Sequence, residues 1–181
     1  NPSNPYDTTR AASLGSSSGS ALSVSTNLVM ASLGEETRAS CRGPSNHNAV
    51  ALILPHKAMI GFDGGAIGAD IYCDRSGIHG KSLPDCAKIL DALKDENLGY
   101  YDPRDPYTTV PRSSIISSNF TDSLTSKIDE NDLESIRLGV IRESMVYPKN
   151  SITEKPIVDA AVIEIKEILS QKLGVTLVES G

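Results

Sequence analysis

The chain has no tryptophan, only two phenylalanines and no surplus of basic residues. Its formal net charge of −6 and pI near 5.0 oppose non-specific attraction to a phosphate backbone, and no basic stripe is interleaved with aromatics. Nucleic acid is therefore not an expected partner unless another chain supplies the contacts. Apolar runs are short. None approaches the roughly 18 residues of a membrane span, and residues 1–14 hold no apolar signal-peptide core. The expectation is a cytoplasmic protein with no membrane association. Cysteine is scarce and odd in number: Cys41, Cys73 and Cys86 form no Cys-x-x-Cys pair. That favours reduced thiols over a disulfide framework, with a Cys73–Cys86 bridge left open. The three histidines, His47, His56 and His79, lack the close spacing of a zinc pair, so no metal site is expected.

What is present, 39% hydrophobic and 22% charged residues in a chain of 181, suffices for one core. One domain, or one piece of a larger domain, is expected. Residues to about Gly19 are rich in Pro, Ser and Gly and read as loop. Ser20 to Thr26 reads as a short helix capped by Ser20 or a neighbour, Leu28 to Leu33 as a buried strand, and Glu35 to Ala39 as the turn after it. Ser40 falls where a new turn of helix begins. Ala49 to Leu54, ended by Pro55, reads as a second buried strand, and Gly61 to Gly80, with six of the fourteen glycines, as loop. Lys81 to Leu93 has helical spacing, with Leu83, Cys86, Ala87, Leu90 and Leu93 on one face and Ser82 placed to cap. Tyr100 to Ser126 reads as a surface crossing. Ile136 to Ile141, Lys155 to Leu173 with Gly174 as stop, and Val175 to Val178 read as strand, helix and strand. That is the pattern of a crossover in a helix-covered sheet. The chain thus divides into serine loops (1–60), loop and helix (61–98), a surface segment (99–131) and a strand–helix–strand unit (132–181).

Two serine-bearing segments carry the chemistry. Ser16 opens a run from Gly15 to Ala21, and Ser40 lies 24 positions on, within Gly34 to Pro44. A serine hydroxyl is a poor nucleophile near neutral pH and needs a base, together with donors that hold the developing oxyanion. The turn before Ser40 offers the backbone N–H groups of Thr37, Arg38, Ala39 and Ser40 itself. Glycine and serine in 15–20 suit a loop with unusual backbone angles that brings hydroxyls close to another loop. Taken alone, such a run is more often a flexible linker, and a serine at a helix start more often a cap.

The wider constellation changes that balance. Arg42 and Pro44 complete Ser-x-Arg-x-Pro, Asp74 and Gly77 an Asp-x-x-Gly stretch, and Asp85 and Ala87 a helical Asp-Ala pair. Asp102 to Pro106, Ile136 to Val140 and the later helix with Gly174 follow in order. Over nearly all of Asn1 to Gly181 this resembles the amidase signature family. The resemblance implies an α/β fold, with α/β/α layers around a mixed, twisted central sheet, and no metal or organic cofactor. It implies that Ser40 is the nucleophile, attacking a carboxamide to form an acyl-enzyme. Ser16, on a cis peptide, relays the proton to a lysine. Ser17 supports that loop by hydrogen bonding, and Thr37, Arg38 and Ala39 line the oxyanion and substrate side. The family's lysine would lie before Asn1, so the chain alone is expected to be inactive. Its expected partners are a small-molecule amide and the rest of the same enzyme or a second chain, with a homodimer among the options.

The sequence departs from the family at Arg38-Ala39, where Gly-Gly is usual, and at Glu35-Glu36, where Thr-Asp is usual. Any residue but proline keeps its N–H, so this reads as altered pocket shape rather than lost chemistry. The Arg38 cation could hold a substrate carboxylate, but an internal pair with Glu35 or Glu36 is the favoured reading. Two other functions stay open: the glutamine-hydrolysing subunit of a tRNA-dependent amidotransferase, and a non-catalytic amidase-like binding protein. A triad of Ser40 with His47 or His79 and Asp74 rests on residue type alone.

Overall fold

The structure is a computed structural model and describes residues 3–11, 15–61, 73–93, 104, 118–125, 130–141 and 154–179. The chain forms two compact units, 1–126 and 127–181.

The first unit is organised by a three-stranded antiparallel sheet in the order β1 (Ala31–Glu36), β3 (Arg75–Gly80), β2 (Ala51–Ile53). All six residues of β1 pair with β3, from Ala31 opposite Gly80 to Glu36 opposite Arg75. Side chains alternate between the two faces of a strand. Ile78 and Gly80 face α3 (Leu83–Leu93), where a Cβ on Gly80 would lie 2.7 Å from Cys86 Sγ. Gly77 and His79 face the other way, toward α1 (Ser18–Ser25) and α2 (Arg42–His47). The sheet is thus covered by helices on both faces. Its core is Ile78, Cys86 and Leu90, packed by Ile53, Ile89 and Phe120.

Several elements differ from the sequence expectations for identifiable reasons. The predicted strand over Leu28–Leu33 begins only at Ala31. Helix α1 ends in a Schellman motif, with the Asn27 amide on the Val24 carbonyl (3.1 Å) and the Leu28 amide on that of Ser23 (2.9 Å). Asn27 takes a left-handed φ of 63°. Leu28 to Met30 are therefore spent on the exit turn, with Leu28 78% and Met30 87% exposed. At its other end β1 runs on through Glu35 and Glu36, so the turn starts at Thr37. Ser20 lies inside α1 rather than capping it; Ser17 holds the cap position, and its hydroxyl goes elsewhere.

The end of the glycine-rich 61–80 stretch is the central strand β3, not loop. Glycine serves there for close approach: a Cβ on Gly77 would lie 2.7 Å from Cys41 Sγ. Residues 62–72 lie outside the described residues. In α3, Ser82 and Asp85 exchange hydrogen bonds as a cap, and Cys86, Ala87 and Leu90 are buried. Leu83 and Leu93, at its ends, are exposed. The surface reading of Tyr100–Ser126 lies mostly outside the described residues, but its end forms α4 (Phe120–Thr125), whose first amides bind the Asp91 carboxylate. None of the three cysteines is in a disulfide, so the Cys73–Cys86 bridge is not made.

The second unit contains α5 (Glu130–Glu134), β4 (Arg137–Val140), α6 (Glu154–Glu167) and β5 (Thr176–Glu179). β4 and β5 pair in parallel, as a strand–helix–strand crossover requires. After α6 the helix widens over Ile168–Lys172 and stops at Gly174, whose φ of 68° fits the expected glycine stop. Lys166 forms an ion pair with Glu179, tying the helix to β5.

Candidate active site

β1 leads into the turn 37–40 and then α2, so Ser40 sits between a paired strand and a helix start, as its sequence position suggests. Glu36, fully buried, fastens this junction. Its Oε2 accepts the amides of Cys41 (3.0 Å) and Arg42 (2.9 Å). Its Oε1 accepts Arg42 Nε at 2.6 Å and faces Arg75 at 3.5 Å. Burial by itself pushes the Glu36 carboxyl up, but the Arg42 and Cys41 amides and the Arg42 guanidinium outweigh this and hold it below the usual carboxylate range. An Arg42 guanidinium N–H also donates to the Arg38 carbonyl, so the turn is held from both ends.

The Gly-Ser segment is a structural loop and not a linker. Among the described residues β1 is an edge strand, and its N–H and C=O groups that point away from β3 need partners. Serine hydroxyls supply them. Ser17 Oγ accepts the Glu35 amide (3.1 Å) and donates to the Glu35 carbonyl (3.0 Å), and two residues along Ser20 Oγ donates to Leu33 O (2.8 Å). Gly34 lies between them, and a Cβ there would meet Ser17 Oγ at 2.7 Å and His79 Nε2 at 2.8 Å. Gly34 and Gly77 are direct partners across the ladder. A two-glycine floor therefore lets Ser17 and Cys41 settle onto the sheet, with Cys41 Sγ 3.6 Å from Ser17 Oγ.

This seating brings the two serine segments together. The Ser17 amide donates to the Ser40 carbonyl at 3.0 Å, and the Gly15–Ser16 peptide is cis, with Gly15 at φ 86°. Ser16 is exposed and Ser40 half-buried. Thr37 is held by its side chain: its single O–H faces Asp74 Oδ1 at 2.6 Å and Glu35 Oε1 at 2.9 Å and donates to one at a time. Lys57 Nζ donates to the Asp74 carbonyl at 2.7 Å. Arg38 and Ala39 are exposed at the crest of the turn.

The expected pairing of Arg38 with Glu35 or Glu36 is not made. Glu36 is taken by Arg42 and Arg75, Glu35 binds the Thr37 hydroxyl, and Arg38 has no ion pair among the described residues. The histidine triad is not assembled either. His79 Nδ1 faces Ser45 Oγ at 2.8 Å, Asp74 serves Thr37, and the His47 side chain is exposed. Burial pushes the His79 imidazole below its ordinary pKa, which favours its neutral form. Cys41, beside Ser40, is fully buried, and burial pushes its thiol up to about 11, as expected of a packing residue. No group of three or more His, Cys, Asp or Glu side chains among the described residues could hold a metal.

Sequence reasoning missed Gly34, Ser45 and Lys57, and it gave Glu36 to Arg38 rather than to the Ser40 junction. A readable signal existed only for Glu36: an acidic residue at a strand end, five positions before the helix amide it accepts.

The sequence matches the Amidase family over residues 1–180. The chain belongs to the amidase family. Among its relatives, a glutamyl-tRNA(Gln) amidotransferase subunit from Azoarcus sp. (strain BH72) is 34% identical over 77% of this chain and 26% of that protein. A probable amidase of Arabidopsis thaliana is 33% identical over 70% of this chain and 23% of that protein. Among solved structures, the native peptide amidase of Stenotrophomonas maltophilia superposes with a TM-score of 0.71 at 28% identity, covering 98% of this chain and 32% of that one. This chain therefore spans about a quarter to a third of the length of these proteins. Its α/β architecture is that of the amidase signature fold.

Proposed function

We propose that this chain is the serine-bearing part of an amidohydrolase that cleaves a carboxamide C–N bond through an acyl-enzyme on Ser40. The observation that carries the reading is the Ser17 N–H to Ser40 C=O bond, which sets the Ser16 loop beside the Ser40 turn. In this scheme Ser40 Oγ bonds to the amide carbon while its proton passes to Ser16 Oγ, and the Ser16 proton passes to a lysine outside this chain. The backbone amides of Thr37, Arg38, Ala39 and Ser40 receive the oxyanion. The C–N bond then breaks, the departing nitrogen takes a proton and leaves as ammonia or an amine, and water releases the acid. The site uses no metal or organic cofactor, acts on linear amides in the cytoplasm, and needs the remainder of the enzyme or a second chain.

Intact mass combined with fluorophosphonate labelling tests this. A label on Ser40, absent in Ser40→Ala and formed about 100-fold or more slowly in Ser16→Ala, is expected of protein that includes the lysine-bearing segment. A mass equal to this chain with no label would indicate an inert piece or an amidase-like binding protein.

A second reading, the glutamine-hydrolysing subunit of a tRNA-dependent amidotransferase, is favoured by the relatives that carry an amidotransferase name. Arg38-Ala39 in place of Gly-Gly weighs against it. Release of ammonia from glutamine only when partner subunits are added would select it.

A further inference from the structure

Arg38 lies two residues before Ser40, so its Cα is at most about 7 Å from that of the serine. Its side chain is exposed, and its carbonyl is held by Arg42. Neither carboxylate nearest in sequence pairs with Arg38. Glu36 is buried and bound by two amides and two guanidiniums, and Glu35 bonds the Thr37 hydroxyl. Among the described residues, four cations, Arg38, Arg42, Arg75 and Lys57, lie in or contact this turn and its supports, against three carboxylates, Glu35, Glu36 and Asp74. Among the described residues the cations at the turn thus outnumber the carboxylates, in a chain of net charge −6. Of these cations, Arg42, Arg75 and Lys57 spend donors on the protein, whereas Arg38 spends none among the described residues. A guanidinium offers a planar fork of donors matched to a carboxylate.

We propose that Arg38 is a specificity residue that selects amides carrying a carboxylate close to the scissile group, such as half-amides of dicarboxylic acids. This rests on the assignment of Ser40 as the reacting residue, but it makes a prediction about binding that needs no turnover. In Ser40→Ala protein, where chemistry is blocked, succinamic acid and its uncharged methyl ester are titrated by calorimetry or NMR. The acid should bind about 3- to 10-fold more tightly than the ester, the preference shrinking as salt is raised. Adding Arg38→Gln, which keeps the backbone N–H and most of the side-chain length, should abolish the preference, and Arg38→Lys should keep part of it. Equal affinities in the Ser40→Ala protein, no measurable binding of the acid, or a preference unchanged by Arg38→Gln would overturn the proposal. Labelling of Ser40 is scored separately. A labelled serine without charge preference removes Arg38 and leaves the hydrolase reading standing. An unlabelled serine with an Arg38-dependent preference does the reverse, leaving an anion-binding site without hydrolysis.

Discussion

Gly34 is the residue on which the serine loops rest. Its partner across the ladder is Gly77, and any side chain at 34 must displace both Ser17 Oγ and His79 Nε2. Gly34→Ala should therefore destabilise the protein by about 1–3 kcal/mol, as overpacking does, read as a lower denaturation midpoint. If the midpoint does not move, the close seating of Ser17 is wrong. The neighbouring thiols supply a second test. Cys41 is fully buried with its thiol pushed up to about 11, whereas Cys73 is exposed. At pH 8 iodoacetamide should modify Cys73 in the folded protein, and Cys41 only after denaturation. Mass mapping of the alkylated peptides decides this. Rapid native modification of Cys41 would mean that the junction beneath Ser40 opens.

Among the elements, the exit of α1 decides where β1 begins. Asn27 at φ 63° closes the Schellman turn, a conformation that β-branched residues take only at a cost. Asn27→Val should cost about 1–2 kcal/mol, and Asn27→Gly should leave stability within a few tenths of a kcal/mol, both measured by denaturant melts. This turn also shows where sequence patterning misled: Leu28 to Leu33 has the apolarity of a strand, yet half of it belongs to the turn. Helix α3 was legible because Ser82, Asp85 and the Cys86–Ala87–Leu90 stripe agree locally. β3 was not, because Gly77 and Gly80 look like loop residues until Cys41 and Cys86 stand over them.

At the scale of the molecule, the buried polar groups set the response to acid. His79 binds its proton less readily in the folded than in the unfolded state, because burial disfavours the imidazolium. Its contribution to stability is complete above its ordinary value of 6.5 and is lost as pH falls below it. Glu36 has the same sign at lower pH: its stabilisation is complete above 4.5 and is lost as pH falls through its depressed folded value. Melting temperature should thus fall in two stages on acidification, and His79→Gln should remove the upper stage while leaving the lower. A single stage unchanged by that substitution would exclude His79 as its source. What the sequence alone determined was local or ordered along the chain: the serine segments 24 residues apart, the Ser82-capped helix, the Gly174 stop and the strand–helix–strand order, all written in short-range residue chemistry. What only the tertiary structure decided was which distant groups meet. Glu36 under the Ser40 junction, serine hydroxyls on the edge of β1, paired glycines beneath Ser17 and Cys41, and the carboxylates withdrawn from Arg38 follow from strand register and burial, which no local pattern encodes.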